Sequence, residues 1–495
     1  MPIEIRLHLP GDTPGNLTKS STLTLSQTLV VEADYTDEKG FVQNSAPVTI
    51  VSNNPAVASI SGTTATGSSF GGAGLVAACI PPTCGSGFPA PFPIYSNLFQ
   101  ITVPGVSPAT TVYATSSSPP PSGTNPSIIP IDTSKSPPVA GTAISLPATA
   151  VPNSFVVDAA GDKAYLGTAA GLISLDTSAN TVTLIDPNIL GKVLAVSNKG
   201  EFVIVSNASI EPNVSKQRLF VFSSGTSTFQ IFIVPGAVAA SFDSDGFKAY
   251  IVANNGNVYI FSPQLSLVTT SIGGSSTSVT GLASDPYVFV ANSAGIEVIA
   301  SCNNVQQPTA NNPPTQSTNI SLVGSFANSD MIAAVDSAGV DIITANVTSL
   351  LSTNPLPFNV NSGNCQPPVS YTNQFVDFGL GAITANQLLV SSAGADNGAT
   401  TSHVVVLPAN INKVLVARPG AASGGSITLA GAGAVEAMSG GMTPDGNKVW
   451  VGVRGTNTVD LLDLTNSTDE AQVNPGLKQA NGNPAPPDLV IVKPK

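Results

Sequence analysis

Gly441–Leu464 reads GMTPDGNKVWVGVRGTNTVDLLDL. It holds a turn at Thr443-Pro444-Asp445-Gly446, a strand at Lys448–Val453, a second turn and an alternating strand at Thr458–Leu464. Proline at the second turn position presets φ, and glycine at the fourth takes the positive φ that closes the turn. In both strands apolar residues alternate with small or polar ones, the pattern of strands whose two faces meet different surroundings.

The same paired phrase recurs upstream. Thr111–Thr115 pairs in pattern with Ile128–Asp132, Lys163–Gly167 with Leu172–Asp176, and Phe202–Ser206 with Leu219–Phe222. Lys248–Ala253 with Val258–Phe261 follows, then Tyr287–Ala291 with Ile296–Ile299 and Ile332–Val335 with Val340–Thr344. Gln387–Ser391 with His403–Leu407 precedes the pair quoted first. Steps between successive pairs run from about 39 to about 61 residues, and further strands such as Ser154–Asp158 and Thr181–Leu184 fall between them. Four strands in a unit of about 40–45 residues is the pattern of a β-propeller blade.

The turns Asp158-Ala-Ala-Gly-Asp162 and Asp243-Ser-Asp-Gly246 join "YVAN"-like strands (Tyr250–Asn254, Val288–Asn292) and "VxxIDT"-like strands (Leu172–Thr177, Ile129–Thr133). Over about residues 108–495 the chain therefore resembles the YVTN-type propeller family. The resemblance implies a seven- or eight-bladed ring, with the tail Pro487–Lys493 supplying the inner strand that the first pair lacks. Upstream, Val51-Ser-Asn-Asn-Pro-Ala-Val-Ala-Ser-Ile60 and then Gly74-Leu-Val-Ala-Ala78 resemble a bacterial group 2 immunoglobulin-like domain. The expected organisation is a polar segment at 1–20, an immunoglobulin-like β-sandwich at 21–104 and a propeller at 105–495, all-β throughout.

Composition narrows the partners. Of 495 residues only 9% are charged, against a usual share of about 25%. The net charge of −12 and an isoelectric point near 4.5 speak against a nucleic-acid or anionic-membrane partner. Mean hydropathy is +0.25, but no apolar run reaches the roughly 18 residues a transmembrane helix needs. The start, MPIEIRLHLPGDTPG, shows no basic stretch followed by an apolar one. Low charge, few lysines and paired cysteines nonetheless point to an extracellular or cell-surface protein, with a monomeric state and a start upstream of Met1 as the working expectations.

Cys79-Ile-Pro-Pro-Thr-Cys84 has the spacing of a disulfide-clamped loop, and Cys302 with Cys365 is a second candidate bridge. Neither fits the CxxC or added-histidine spacing of zinc. Two histidines, His8 and His403, offer no nucleophile–base pair. Asp158, Asp243, Asp245, Asp285 and Asp445 recur at turns, where each can cap its own backbone N–H groups without any metal. Asp243-Ser-Asp245-Gly246 opens like a calcium loop but lacks the twelfth-position Glu. No phosphate loop is present. Asn16, Asn207, Asn213, Asn319, Asn346 and Asn466 stand in glycosylation sequons, which arise often in so Ser/Thr-rich a chain. Trp450, Tyr165 and Tyr250 sit in blade strands and read as packing between blades.

No catalytic, cofactor-binding or metal residue is therefore assigned. The functional expectation is a non-catalytic binding or scaffolding protein that meets a protein or a carbohydrate through loops on one propeller face. The insertions Cys302–Thr318, Asn346–Asn373 and Gly394–Ser402 supply the candidate contact loops, with Gln306, Gln307, Asn311, Asn312, Gln316, Asn361 and Asn364 as contact residues. The first two follow a third strand and should share a face. The rival readings are a lactonase- or lyase-type propeller enzyme using channel carboxylates and a divalent metal, and a structural repeat protein without ligand.

Overall fold

Among the described residues of the computed structural model, strands carry nearly all regular structure, with two short 3₁₀ turns beside them. The described residues are all but 1, 14–16, 38–41, 44–47, 80–93, 107–109, 264–265, 284–286, 302, 347–357, 360–363, 366–369, 393–401, 432–434 and 495. No helix among them is long and apolar enough to cross a membrane.

Apart from the two-stranded pair Phe358–Asn359 and Asn364–Cys365, these residues from Thr111 onward form eight antiparallel sheets in succession, seven of them four-stranded in sequence order. The second sheet is representative: Ala150–Val157, Lys163–Thr168, Gly171–Asp176 and Thr181–Asp186. The first sheet borrows its inner strand from the chain's end. Leu489–Val492 runs antiparallel to Thr111–Thr115, with Val112 opposite Val492 and Ala114 opposite Val490. Inner strands lie side by side around the series, which returns from Glu436–Met442 through Leu489–Val492 to Ala150–Val157. This is a β-propeller, in which radial repetition leaves only short, protected edges.

Apolar residues of second and third strands fill the space between neighbouring sheets. Trp450 packs with Val112, Ala114 and Val490 across the junction of last and first sheets, and Tyr165 and Tyr250 are likewise buried. Gly167 and Gly452 hold matching places in their second strands. A Cβ there would stand 1.8 Å from the backbone oxygen of Gly191 or Pro487, so the neighbouring chain can pass only over glycine.

One pairing differs from the sequence reading. Ala385–Val390 is the inner strand of its sheet and Val404–Pro408 the second, so Gln387–Ser391 is not a second strand. The insertion at 394–402 thus links a first to a second strand. An inner strand here is nearly as apolar as a second strand, and alternation cannot tell the two apart.

The N-terminal unit is built from three small sheets around one apolar cluster. It begins earlier than expected. Pro2–His8 pairs with Glu32–Asp37, and Ile5 and Leu7 are buried with Leu23 and Val31, so 1–20 is no separate polar segment. Asn97 locks the strand in place: the Leu7 N–H donates to its Oδ1 at 2.9 Å, and its Nδ2 donates to the Leu7 oxygen at 3.0 Å. The Cys79–Cys84 and Cys302–Cys365 pairings fall outside the described residues, which omit Cys84 and Cys302.

Candidate functional site

All inner strands of a propeller run the same way, so their starts gather at one mouth of the channel and their ends at the other. The ends are covered. Asn53 Nδ2 donates to the Ala327 oxygen at 2.6 Å, and the Gly72 N–H donates to Ser392 Oγ at 3.0 Å. Val76 and Leu98 pack on Ala283. Ala283, Ala327 and Ser392 each follow an inner strand, which places the N-terminal unit on that face.

The starts form the opposite mouth, and seven of the eight inner strands, all but Leu489–Val492, carry a register shift there. Register shifts fall between Val193 and Ala195, Ala237 and Ala239, Ser276 and Ser278, Ile320 and Leu322, Ala385 and Gln387, and Ala437 and Ser439. A bulge leaves one residue unpaired and re-aims its side chain. The residues so released are Leu194, Val238, Thr277, Ser321, Asn386 and Met438. In the second sheet the shift spans Ala150 to Phe155, and Asn153 there takes φ 52°, a left-handed conformation that asparagine tolerates.

These bulges also stitch the ring. Val193 N–H donates to Ser154 Oγ at 2.8 Å, Val323 N–H to Ser278 Oγ at 3.3 Å, and Val490 N–H to Ser439 Oγ at 2.8 Å. Between the seventh and eighth sheets Gln387 does the same work, its Oε1 accepting from Gly440 N–H at 2.8 Å. Asn386 Nδ2 reaches the Ala437 oxygen at 2.9 Å.

A cavity of about 260 Å³ opens at this mouth, and four bulge residues, Leu194, Val238, Asn386 and Met438, help line it. Phe155 and Leu489 add apolar wall. One cation stands among the lining residues: Lys192, at the start of its inner strand. A second cavity of about 320 Å³, between the third and fourth sheets, is lined by Gln217, Asn254 and Val214 and shares Lys192 with the first. Among the described residues the Lys192 ammonium has one hydrogen-bond partner, the Val238 oxygen at 3.5 Å. Burial holds its pKa below the usual lysine value.

Several of the candidate contact residues read from the sequence are tied to blade strands. Gln306 Nε2 and Asn312 Nδ2 both donate to Glu297 Oε2, each at 2.9 Å. Gln307 N–H bonds the Val298 oxygen at 2.7 Å, and Gln316 N–H meets the Asp341 carboxylate at 3.2 Å. Asn373 Nδ2 bonds Asp341 at 2.7 Å and the Pro314 oxygen at 2.9 Å. The segment 306–316 is thus hung on carboxylates from two neighbouring third strands. Because Val305–Gln306 is itself a short fourth strand, the rest of that insertion leads from a fourth strand to a first. It does not share its connection type with 346–373, which joins a third strand to a fourth. Asn361 lies outside the described residues. Asn364 pairs with Asn359 in a two-residue strand, and of Asn311 only its place in a 3₁₀ turn is described.

The turn aspartates cap their own turns. Asp158 Oδ1 accepts from Asp162 N–H at 2.9 Å, Asp243 Oδ1 from Lys248 N–H at 2.9 Å and Asp445 Oδ1 from Asn447 N–H at 3.2 Å. Asp285 lies outside the described residues. Among those residues no group of three or more His, Cys, Asp or Glu stands together. His403 is buried, with Nδ1 at 2.8 Å from the Gly446 oxygen, and His8 lies 3.0 Å from Asp34 in the N-terminal unit.

No protein family matches the chain, and no curated protein matches it. Among solved structures it is similar to the β-propeller domain of Myceliophteria thermophila Cps50 (Swd1), at 9% identity and TM-score 0.45, over 64% of this chain and 95% of that one. The dihydro-heme d1 dehydrogenase NirN is similar at 10% identity and TM-score 0.47, over 73% and 72%. The WD40 repeats of RRP9 are similar at 10% identity and TM-score 0.39, over 58% and 83%.

Proposed function

We propose that this chain is a non-catalytic binding protein, acting at a cell surface or outside the cell, whose contact surface is the open channel mouth and the loops around it. In this reading the ring is an eight-bladed propeller of the YVTN type, and the N-terminal unit is an immunoglobulin-like spacer fixed to the other face. The carrying observation is the inequality of the two mouths. One is covered by the N-terminal unit through Ala283, Ala327 and Ser392. The other is ringed by bulge residues that the sheets do not need for pairing. Side chains on a rigid ring, freed from the ladder, suit recognition. The sparsely charged, net-acidic chain suits a protein or glycan partner better than nucleic acid. A lactonase or lyase reading wants acids converging on one mouth, and the turn aspartates are engaged in their own turns instead.

The test uses the intact chain on arrays of immobilised glycans and matrix proteins. Leu194→Trp plugs the mouth, and Gln230→Trp, on an exposed outer strand, is the control. Binding retained by Gln230→Trp and lost by Leu194→Trp supports the reading. Equal binding by both variants and the native chain overturns it.

A further inference from the structure

We infer that Lys192 is the anchor for a small carboxylate-bearing ligand, received where the channel mouth and the adjoining cavity meet. The inference rests on the open mouth being the binding face, and it adds the chemical class of what binds there.

The chain carries only 17 Lys and Arg against 29 Asp and Glu. In such a molecule an ammonium should find a carboxylate easily. Lys192 has none: among the described residues its one polar neighbour is the Val238 oxygen, at 3.5 Å, the outer limit of a hydrogen bond. Elsewhere the exposed cations Lys448 and Arg454 are paired, with Glu470 and Glu436 at 2.6 Å each. A largely desolvated charge without a counter-charge costs stability unless something else supplies it. Burial alone depresses its pKa, with no nearby acid offsetting it.

The space beside the ammonium is ready-made. Two cavities, of about 260 and 320 Å³, share this one side chain. The first offers apolar wall from Phe155, Met438 and Leu489 beside the amides of Asn386 and Gln387. Few polar groups set in apolar wall, with one fixed charge, is the ordinary make-up of a small-molecule site. A carboxylate would satisfy the ammonium by a charge-assisted hydrogen bond, and the remainder of the ligand would lie along the apolar side.

The probe is benzoate, with benzamide as its neutral isostere, titrated calorimetrically into the intact protein. The expected result is saturable benzoate binding, with benzamide weaker by about tenfold or more. Lys192→Met should lose benzoate by a similar factor and leave the small benzamide response unchanged. Lys192→Arg should keep most of the affinity, which guards against a folding defect in the Met variant; melting curves of both check the fold. Benzoate and benzamide binding alike, undiminished benzoate binding by Lys192→Met, or no saturable binding overturns the assignment. If Leu194→Trp abolishes array binding while Lys192→Met leaves it intact, the face is right and the anion site wrong. If Leu194→Trp leaves array binding intact, the face itself is wrong.

Discussion

Asp460 is fully buried on its third strand, and one of its carboxylate oxygens has no partner; the same holds for one oxygen of Asp469 on the adjoining strand. Gln472 Nε2 is the amide within reach, at 3.4 Å. Burial pushes the Asp460 pKa up to about 7, with Asp469 adding to the rise, and pushes Asp341 up to about 6. A carboxyl whose folded pKa lies above its unfolded value stabilises the fold when protonated. That contribution is complete below the unfolded pKa near 4 and is lost as pH rises through the folded one. Each unit of displacement is worth about 1.4 kcal/mol, so Asp460 alone carries a few kcal/mol. The melting temperature should therefore rise on acidification from about pH 8 to about pH 5. Asp460→Asn should flatten that slope and raise the melting temperature by a few degrees at the alkaline end. Thermal denaturation across pH checks both; a native-chain profile that falls on acidification over this window contradicts them. Little of this was legible in the sequence. An acid inside an alternating strand looks the same whether it faces solvent or a neighbouring sheet. Lys192 was equally silent, because nothing local marks a lysine as lining two cavities.

At the scale of elements, the paired strands and their Asp- and Gly-bearing turns were readable because alternation and turn chemistry are local. The bulges were not, since one extra residue looks like ordinary irregularity in a period of two. The missed bulges account for the missed mouth. The insertions stand out in the sequence as candidate contact loops because they are long and nearly free of charge. Glu297 and Asp341 bind 306–316 to two neighbouring third strands, through pairings that no local sequence pattern marks. Glu297→Ala should strand the Gln306 and Asn312 amides, costing roughly 1–3 kcal/mol, and should speed proteolysis within 307–319. Limited proteolysis followed by mass spectrometry checks it, with an unchanged cleavage rate as the contrary result. Deleting 489–495 is a harsher change. It removes the buried Leu489, Val490, Ile491 and Val492 and strips the paired edge of Thr111–Thr115. The loss should exceed about 5 kcal/mol at the usual value of a buried aliphatic side chain, far more than a frayed tail is worth. Chemical denaturation of the truncated chain reads it directly; a midpoint matching the full chain would mean the tail contributes nothing.

For the whole molecule, both functional proposals depend on a ring that is closed by its own C-terminal strand and has one mouth covered and one open. Closure makes the inner strands rigid enough to present bulge residues in fixed positions, and the N-terminal unit decides which mouth is left to a partner. Hydrogen exchange of the intact chain, read by mass spectrometry at peptide level, tests this most directly. The amides of Leu489–Val492 should be as protected as those of the other inner strands Lys192–Val196 and Ala237–Phe242, and those of Thr111–Thr115 as those of Phe202–Ser206 and Ala249–Ala253, because each is paired in its sheet as its counterparts are. Peptides over Ala327, Asn328 and Ser392 should gain exchange when residues 1–104 are removed, while those over Lys192–Val196 stay unchanged. Rapid, tail-like exchange at 489–492 in the intact protein, or uncovering at Lys192–Val196 instead of Ala327–Asn328, would contradict the ring and its two unequal mouths.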